Sequence, residues 1–270
     1  MSAFILKLIA LASMIIDHIG AVFPDTISIW FRVVGRLAFP IFVFLLAEGF
    51  RHTKSSRRFL IRLGFFAIIS EPVFDLAFNN GIDFFADTNI FYTLFLGGVA
   101  ICAFSRIMKS EEVSRMLGSQ EKEQTTETRD AKPENKLTSC IFSSISKNDV
   151  LMVPLSAAVL VASFVAAGVL TTDYEAYGVA FILLMYAIPV KMIRLAAMAV
   201  MCVLQHDYVL QALSEGFIVP LPYVMMIPAT VFPVLLVAYY NGRRGPGFKL
   251  AFYAAYPFHL ALLYAALLVR

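Results

Sequence analysis

The chain has 270 residues, of which 60% are hydrophobic and only 15% charged, against roughly 25% charged in an ordinary soluble domain. Together with a mean hydropathy of +0.77, this excludes a disordered chain, a collagen-like fibre, a disulfide scaffold and a freely soluble enzyme, and points to an all-α, polytopic integral membrane protein. The net charge of +3 calls for no nucleic-acid partner, because what counts is where the 22 basic residues fall between the apolar runs.

About 20 apolar residues cross the hydrocarbon core of a bilayer, and the apolar runs predict about nine transmembrane helices, within a range of eight to ten. The first, 4–23, carries Lys7, Asp17 and His18. It does not read as a cleavable leader, since Asp17 and His18 interrupt its apolar run and no small-x-small cleavage motif follows. The second, 28–50, holds Arg32, Arg36 and Glu48 and leads into the basic turn Arg51 to Arg58; the third, 59–79, holds Glu71 and Asp75. The fourth, 88–106, closes the first membrane half, 1–106. Residues 107–149 are polar with nearly balanced charge and predict a solvated, disordered cytoplasmic loop. The second half, 150–270, supplies 150–170, 176–190, 192–208, 216–239 and 248–269, the last with Tyr256-Pro257-Phe258-His259. His206 is expected near the outer surface with little to do. Cys102, Cys140 and Cys202 form no CxxC pair, so neither a metal site nor a required disulfide is expected.

Orientation follows from Lys and Arg in the short loops. The connections 24–27, 80–87, 171–175 and 209–215 contain no Lys or Arg and carry Asp25, Asp83, Asp87, Asp173, Glu175 and Glu215, whereas the alternate connections hold Arg51, Lys54, Arg57, Arg58, Lys191, Arg243 and Arg244. This predicts a cytoplasmic N-terminus and an outward C-terminus.

A charged side chain at mid-bilayer costs roughly 2.5–3.5 kcal/mol on insertion scales, so each one kept there needs a partner or a task. In the predicted topology Asp17, His18, Arg32, Arg36, Glu71 and Asp75 share one layer towards the outer side. Arg32 with Arg36, and Glu71 with Asp75, are i,i+4 pairs that each project from one helical face. Asp17 and His18 are consecutive, about 100° apart around the axis, so they form no dyad with each other. Asp17 is expected to pair with Arg32 or Arg36, and Glu71 or Asp75 to orient His18, the side chain most readily poised as a general base at neutral pH. The same charges read equally as ion pairs that lock three helices together. Lys7 and His18 are eleven residues apart, close to three turns, and so share a face at a separation of roughly 16 Å. That span suits an extended pantetheine arm, with phosphates near the inner surface and an acyl group at the base. Tyr256 and His259 are further candidates for the cleft, although a hydrogen-bonded core histidine is the simpler reading of His259.

The motifs Leu6-Lys7-Leu8-Ile9-Ala10 with Asp17-His18-Ile19-Gly20, Gly35-Arg36-Leu37-Ala38-Phe39-Pro40, Glu48-Gly49-Phe50-Arg51-His52-Thr53 and Ser70-Glu71-Pro72-Val73-Phe74-Asp75 resemble those of the TraX family of integral-membrane acetyltransferases. Weaker echoes are Asn89-Ile90-Phe91-Tyr92, Asp173-Tyr174-Glu175 and Tyr256-Pro257-Phe258-His259. Lys7 followed by ten residues and His18 is similar to the basic-x10-His signature of the wider transmembrane acyltransferase group. The resemblance implies a bacterial inner-membrane acetyltransferase that takes acetyl-CoA from the cytoplasm and delivers the acetyl group to a pilin-like protein or a surface glycan, with no metal. It implies a catalytic group of His18, Asp17, Arg36, Glu71 and Asp75, and a donor-binding group of Lys7, Arg32, Glu48, Arg51 and His52. Two other classes fit the same buried charges: a transporter or flippase, and a non-catalytic pilus assembly factor.

Overall fold

The computed structural model describes residues 1–79, 81, 87–127 and 147–269. Asp83, Cys140 and residues 128–146 of the polar insertion lie outside the described residues. Among the described residues the chain is helical: α1 Ala3–Val22, α2 Trp30–Gly35, α3 Ala38–His52, α4 Ser56–Phe78, α5 Ile90–Glu127, α6 Lys147–Val169, α7 Glu175–Ala187, α8 Lys191–Leu204, α9 Asp207–Ser214, α10 Leu221–Val231, α11 Pro233–Ala238 and α12 Lys249–Val269.

Local chemistry sets several of these ends. Ser2 caps α1 by accepting the Ile5 N–H, and Ser55 caps α4 by accepting the Arg58 N–H, each satisfying an amide that the helix leaves unpaired. The N–H groups of Ala3 and Phe4 donate to the carbonyls of Arg243 and Arg244, so the start of α1 is tied to the 240s turn. Pro233 opens α11, where a missing N–H costs nothing. The fourth helix does not stop at 106. It runs on to Glu127.

Among the described residues six stretches are long and apolar enough to cross a membrane: Ala3–Val22, Trp30–His52, Ile90–Ser110, Met152–Val169, Leu221–Ala238 and Leu250–Val269. The pair α8 and α9, bent by 62°, makes a seventh if it is one broken span. α7 is apolar but only 13 residues long. α4 carries Arg62, Glu71 and Asp75 within its apolar stretch, yet sorts them by face. Ile61, Phe65 and Ile68 are exposed on one side, while Leu63, Phe66, Ala67, Ser70, Glu71 and Asp75 are buried on the other. An apolar exterior over a polar interior is the arrangement a bilayer demands.

α3 is the central helix. Phe39, Ile41, Val43, Phe44, Leu46 and Ala47 are all buried, because α1, α5, α7 and α11 surround it. α12 closes the bundle against α1 and α4. At one end Met1 meets Asn241, and Lys191 donates to the Ala238 carbonyl; this end carries Arg51 to Arg58 and Arg243-Arg244 and is called the basic end below. At the other end the Thr88 N–H donates to the Thr171 carbonyl and the Thr88 carbonyl accepts the Asp173 N–H. That acidic end carries Asp87, Asp173 and Glu175.

Candidate functional site

Among the described residues two cavities stand out between the helices. One, about 630 Å³, opens among Asp17, His18, Arg32, Arg36, Asn79, Asp87, Asp173 and Tyr174. The other, about 570 Å³, lies among Lys7, His52, Lys54, Arg58, Arg62, Arg244, Tyr253 and Tyr256. Met14, Phe42 and Ile90 line both, so the two spaces abut at an apolar waist. The face of α1 that carries Lys7, Leu11, Met14 and His18 therefore borders first one cavity and then the other, as the spacing of i, i+4, i+7 and i+11 dictates.

In the acidic-end cavity Asp17 is held by both arginines. Its Oδ2 accepts from Arg32 Nη1 and its Oδ1 accepts from Arg36 Nη2 at 2.9 Å. Arg36 also donates through Nε to the Arg32 carbonyl. The clamp depends on a close approach of α2 to α1. A Cβ on Gly35 would lie 2.2 Å from the Cβ of Asp17 and 2.1 Å from its Oδ1, and one on Gly20 would lie 2.8 Å from the Cβ of Phe31. Only glycine permits this contact. The sequence expectation that Asp17 pairs with an arginine is met by both at once.

The partner of His18 differs from expectation. Neither Glu71 nor Asp75 orients it. Its Nδ1 lies 2.7 Å from Nε2 of His259, and the two rings stack with centroids 4.9 Å apart. Phe78 and Tyr256 present ring edges at 5.3 and 5.9 Å. His259 Nδ1 lies 2.9 Å from the Ala255 carbonyl. The carboxylates are engaged elsewhere, Glu71 by Asn89, the cap of α5, and Asp75 by Asn79. Glu71 Oε2 accepts from both the backbone and side-chain N–H groups of Asn89, while Asn89 Oδ1 accepts the Phe91 N–H. Asp75 accepts from Asn79 one turn on. Both acids are buried and lie outside the cavity lining.

The mouth of this cavity is shaped by a strained loop. Thr171 and Glu175 adopt positive φ of 42° and 44°, uncommon for residues other than glycine. Between them Tyr174 stacks flat on Phe39 with centroids 3.4 Å apart. Asp173 is exposed at the mouth, and desolvation by the surrounding loop and helices pushes its carboxyl up to about 6, with Asp17 and Asp87 adding repulsion and Arg36 and Arg32 opposing it. Burial likewise pushes the Tyr174 phenol up.

Of the predicted donor-binding residues, Lys7 and His52 line the basic-end cavity, and Lys7 lies 5.6 Å from the centre of the Phe252 ring. Arg32 lies in the other cavity on Asp17. Arg51 is spent on structure: it donates to Glu48 and to the carbonyls of Met185, Tyr186 and Ile188. It thus satisfies the orphan acceptors at the C-terminus of α7. Glu48 lines the basic cavity but is held by Arg51 and, at 2.8 Å, by Arg194. Tyr256 lines the basic cavity, and His259 reaches the site only through His18. His206 is buried in the protein at the bend between α8 and α9 and bonded to Thr230 Oγ1 at 2.7 Å. Sequence reasoning missed Arg194 and the roles of Asn89 and Asp173. The signals for the last two were present: an Asn directly before an apolar helical run, and an acid in a Lys- and Arg-free loop.

The fold and crevice define a multi-pass helical membrane protein that sets a half-buried histidine and an Arg-Asp-Arg clamp in the lining of one cavity. A family model described as "TraX protein" matches residues 2–267, and the chain belongs to the TraX family. It is 28% identical over 284 residues, covering 98% of this chain and 95% of the relative, to the "Probable fimbrial assembly protein FimC, serogroup H1" of Dichelobacter nodosus. No solved structure matches it.

Proposed function

We propose that the protein is an acetyl-CoA-dependent acetyltransferase of the bacterial inner membrane, serving the assembly of a surface filament or the modification of a surface glycan. It crosses the membrane about nine times, with α4, α7 and the bent pair α8–α9 added to the six long apolar stretches, and its N-terminus is cytoplasmic, since the basic end gathers the loop Lys and Arg residues and the acidic end excludes them. The carrying observation is that His18 lines a cavity that shares Met14, Phe42 and Ile90 with a basic cavity containing Lys7. Donor phosphates bind near Lys7, Lys54, Arg58 and Arg244 at the cytoplasmic end, and the thioester reaches the waist. There the acceptor amine or hydroxyl attacks the thioester carbonyl while His18 takes its proton. The bond from acceptor to acyl carbon forms, the C–S bond breaks, and the departing thiolate recovers the proton from the imidazolium. Arg36, backed by Arg32 and Asp17, stabilises the negative charge that builds on the carbonyl oxygen.

A second reading, a non-catalytic assembly factor, is favoured by the name of the Dichelobacter nodosus relative, and abutting cavities also suit a transporter. Radiolabelled acetyl-CoA offered to protein in liposomes separates the three. Time-dependent covalent label on an added pilin or glycan, lost in His18→Ala, is the expected result, and Lys7→Ala should raise the donor KM more than it lowers kcat. Pilin binding without label favours the assembly role, and acceptor movement without acetylation favours transport.

A further inference from the structure

His18 and His259 present nitrogens 2.7 Å apart, Nδ1 to Nε2, a distance that requires one proton between two lone-pair sites. Which ring owns that proton is decided one step further along. The other nitrogen of His259, Nδ1, faces the carbonyl oxygen of Ala255 at 2.9 Å. A carbonyl only accepts, so Nδ1 of His259 must carry hydrogen. Burial of His259 to 6% exposure disfavours its doubly protonated, charged form, so its Nε2 is the bare acceptor. The proton in the short contact then belongs to Nδ1 of His18. The relay from Ala255 through His259 ends with the lone pair of His18 on Nε2. Pro257 lies two residues before His259 in α12, and the Tyr256 ring stands edge-on to both imidazoles, at 5.9 Å from His18 and 5.4 Å from His259, fixing their planes.

We infer that His259 is a positioning residue that imposes the Nδ1–H tautomer on His18 and so leaves Nε2 as the nucleophilic and basic nitrogen of the acidic-end cavity. This rests on the acetyltransferase reading only for its catalytic consequence; the tautomer is a property of the protein alone. An unconstrained imidazole prefers hydrogen on Nε2, so without His259 the lone pair passes mostly to Nδ1, the nitrogen turned towards α12.

The test uses the full chain in lipid nanodiscs. Diethyl pyrocarbonate, which acylates unprotonated imidazole nitrogens, is applied briefly and modification of His18 is followed by mass spectrometry, alongside ¹⁵N solid-state NMR of the ring nitrogens. Wild-type protein is expected to show a protonated Nδ1 and a bare Nε2 at His18. His259→Leu should move the proton to Nε2 and slow modification of His18 at Nε2 about tenfold, the factor set by losing one hydrogen bond of ordinary net strength. His259→Gln, whose amide oxygen can still accept from Nδ1–H, should restore both and, in the transfer assay, return kcat with KM for donor unchanged. An unchanged tautomer and unchanged modification rate in a folded His259→Leu or His259→Ala protein would overturn the inference while leaving acetyl transfer possible. The predicted tautomer with no transfer activity would instead overturn the acetyltransferase reading.

Discussion

Replacing Gly35 by alanine tests whether the Arg-Asp-Arg clamp depends on the contact between α1 and α2. The new Cβ would meet Asp17 Cβ at 2.2 Å and Cγ at 2.4 Å. Asp17 Cβ is fixed to the α1 backbone, so no rotamer of Asp17 removes the clash. To reach an ordinary 3.4 Å contact the two helices must separate by about 1.2 Å, which would stretch the 2.9 Å bond between Arg36 and Asp17 beyond hydrogen-bonding range. Overpacking alone costs about 1–3 kcal/mol, and parting a buried ion pair adds to this. Since both arginines keep some water contact, the expected total is about 2–4 kcal/mol. The assay is the unfolding midpoint in detergent, with Gly168→Ala as control, because a Cβ there meets nothing within 4 Å and should shift stability by less than about 0.5 kcal/mol. Equal midpoints for the two variants would refute the reasoning.

Arg51→Ala should cost about 3 kcal/mol, since it strips a charged donor from three carbonyls, and it should raise amide exchange around residues 188–191 with donor KM unchanged. A rise in donor KM without loss of stability would return Arg51 to donor binding. Asp173 gives a pH signature. Its folded pKa, raised from 3.8 to about 6, means the folded chain binds more protons than the unfolded chain between those values, so this residue lowers stability as pH rises across that window and has a constant cost above it. Asp173→Asn should therefore remove a decline in the wild-type unfolding midpoint between pH 4 and 6, and parallel curves for the two proteins would show that the carboxyl is not perturbed.

The sequence by itself determined the membrane character, the helical segments and the inventory of buried charge, because apolar run length and 3.6-residue periodicity are local properties. It also placed Lys7 and His18 on one face of α1 and joined Asp17 to the arginines. Its failures share a cause. Which acceptor a buried donor meets depends on neighbours far away in the chain: His259 is 241 positions from His18, and the carbonyls that claim Arg51 lie some 135 positions away. Asn89 took Glu71 from His18 because an N-cap amide needs an acceptor wherever packing offers one. Only the tertiary structure could decide these pairings, since opposite charges on adjacent helices admit several partners of similar energy, and close packing, as at Gly35, selects among them.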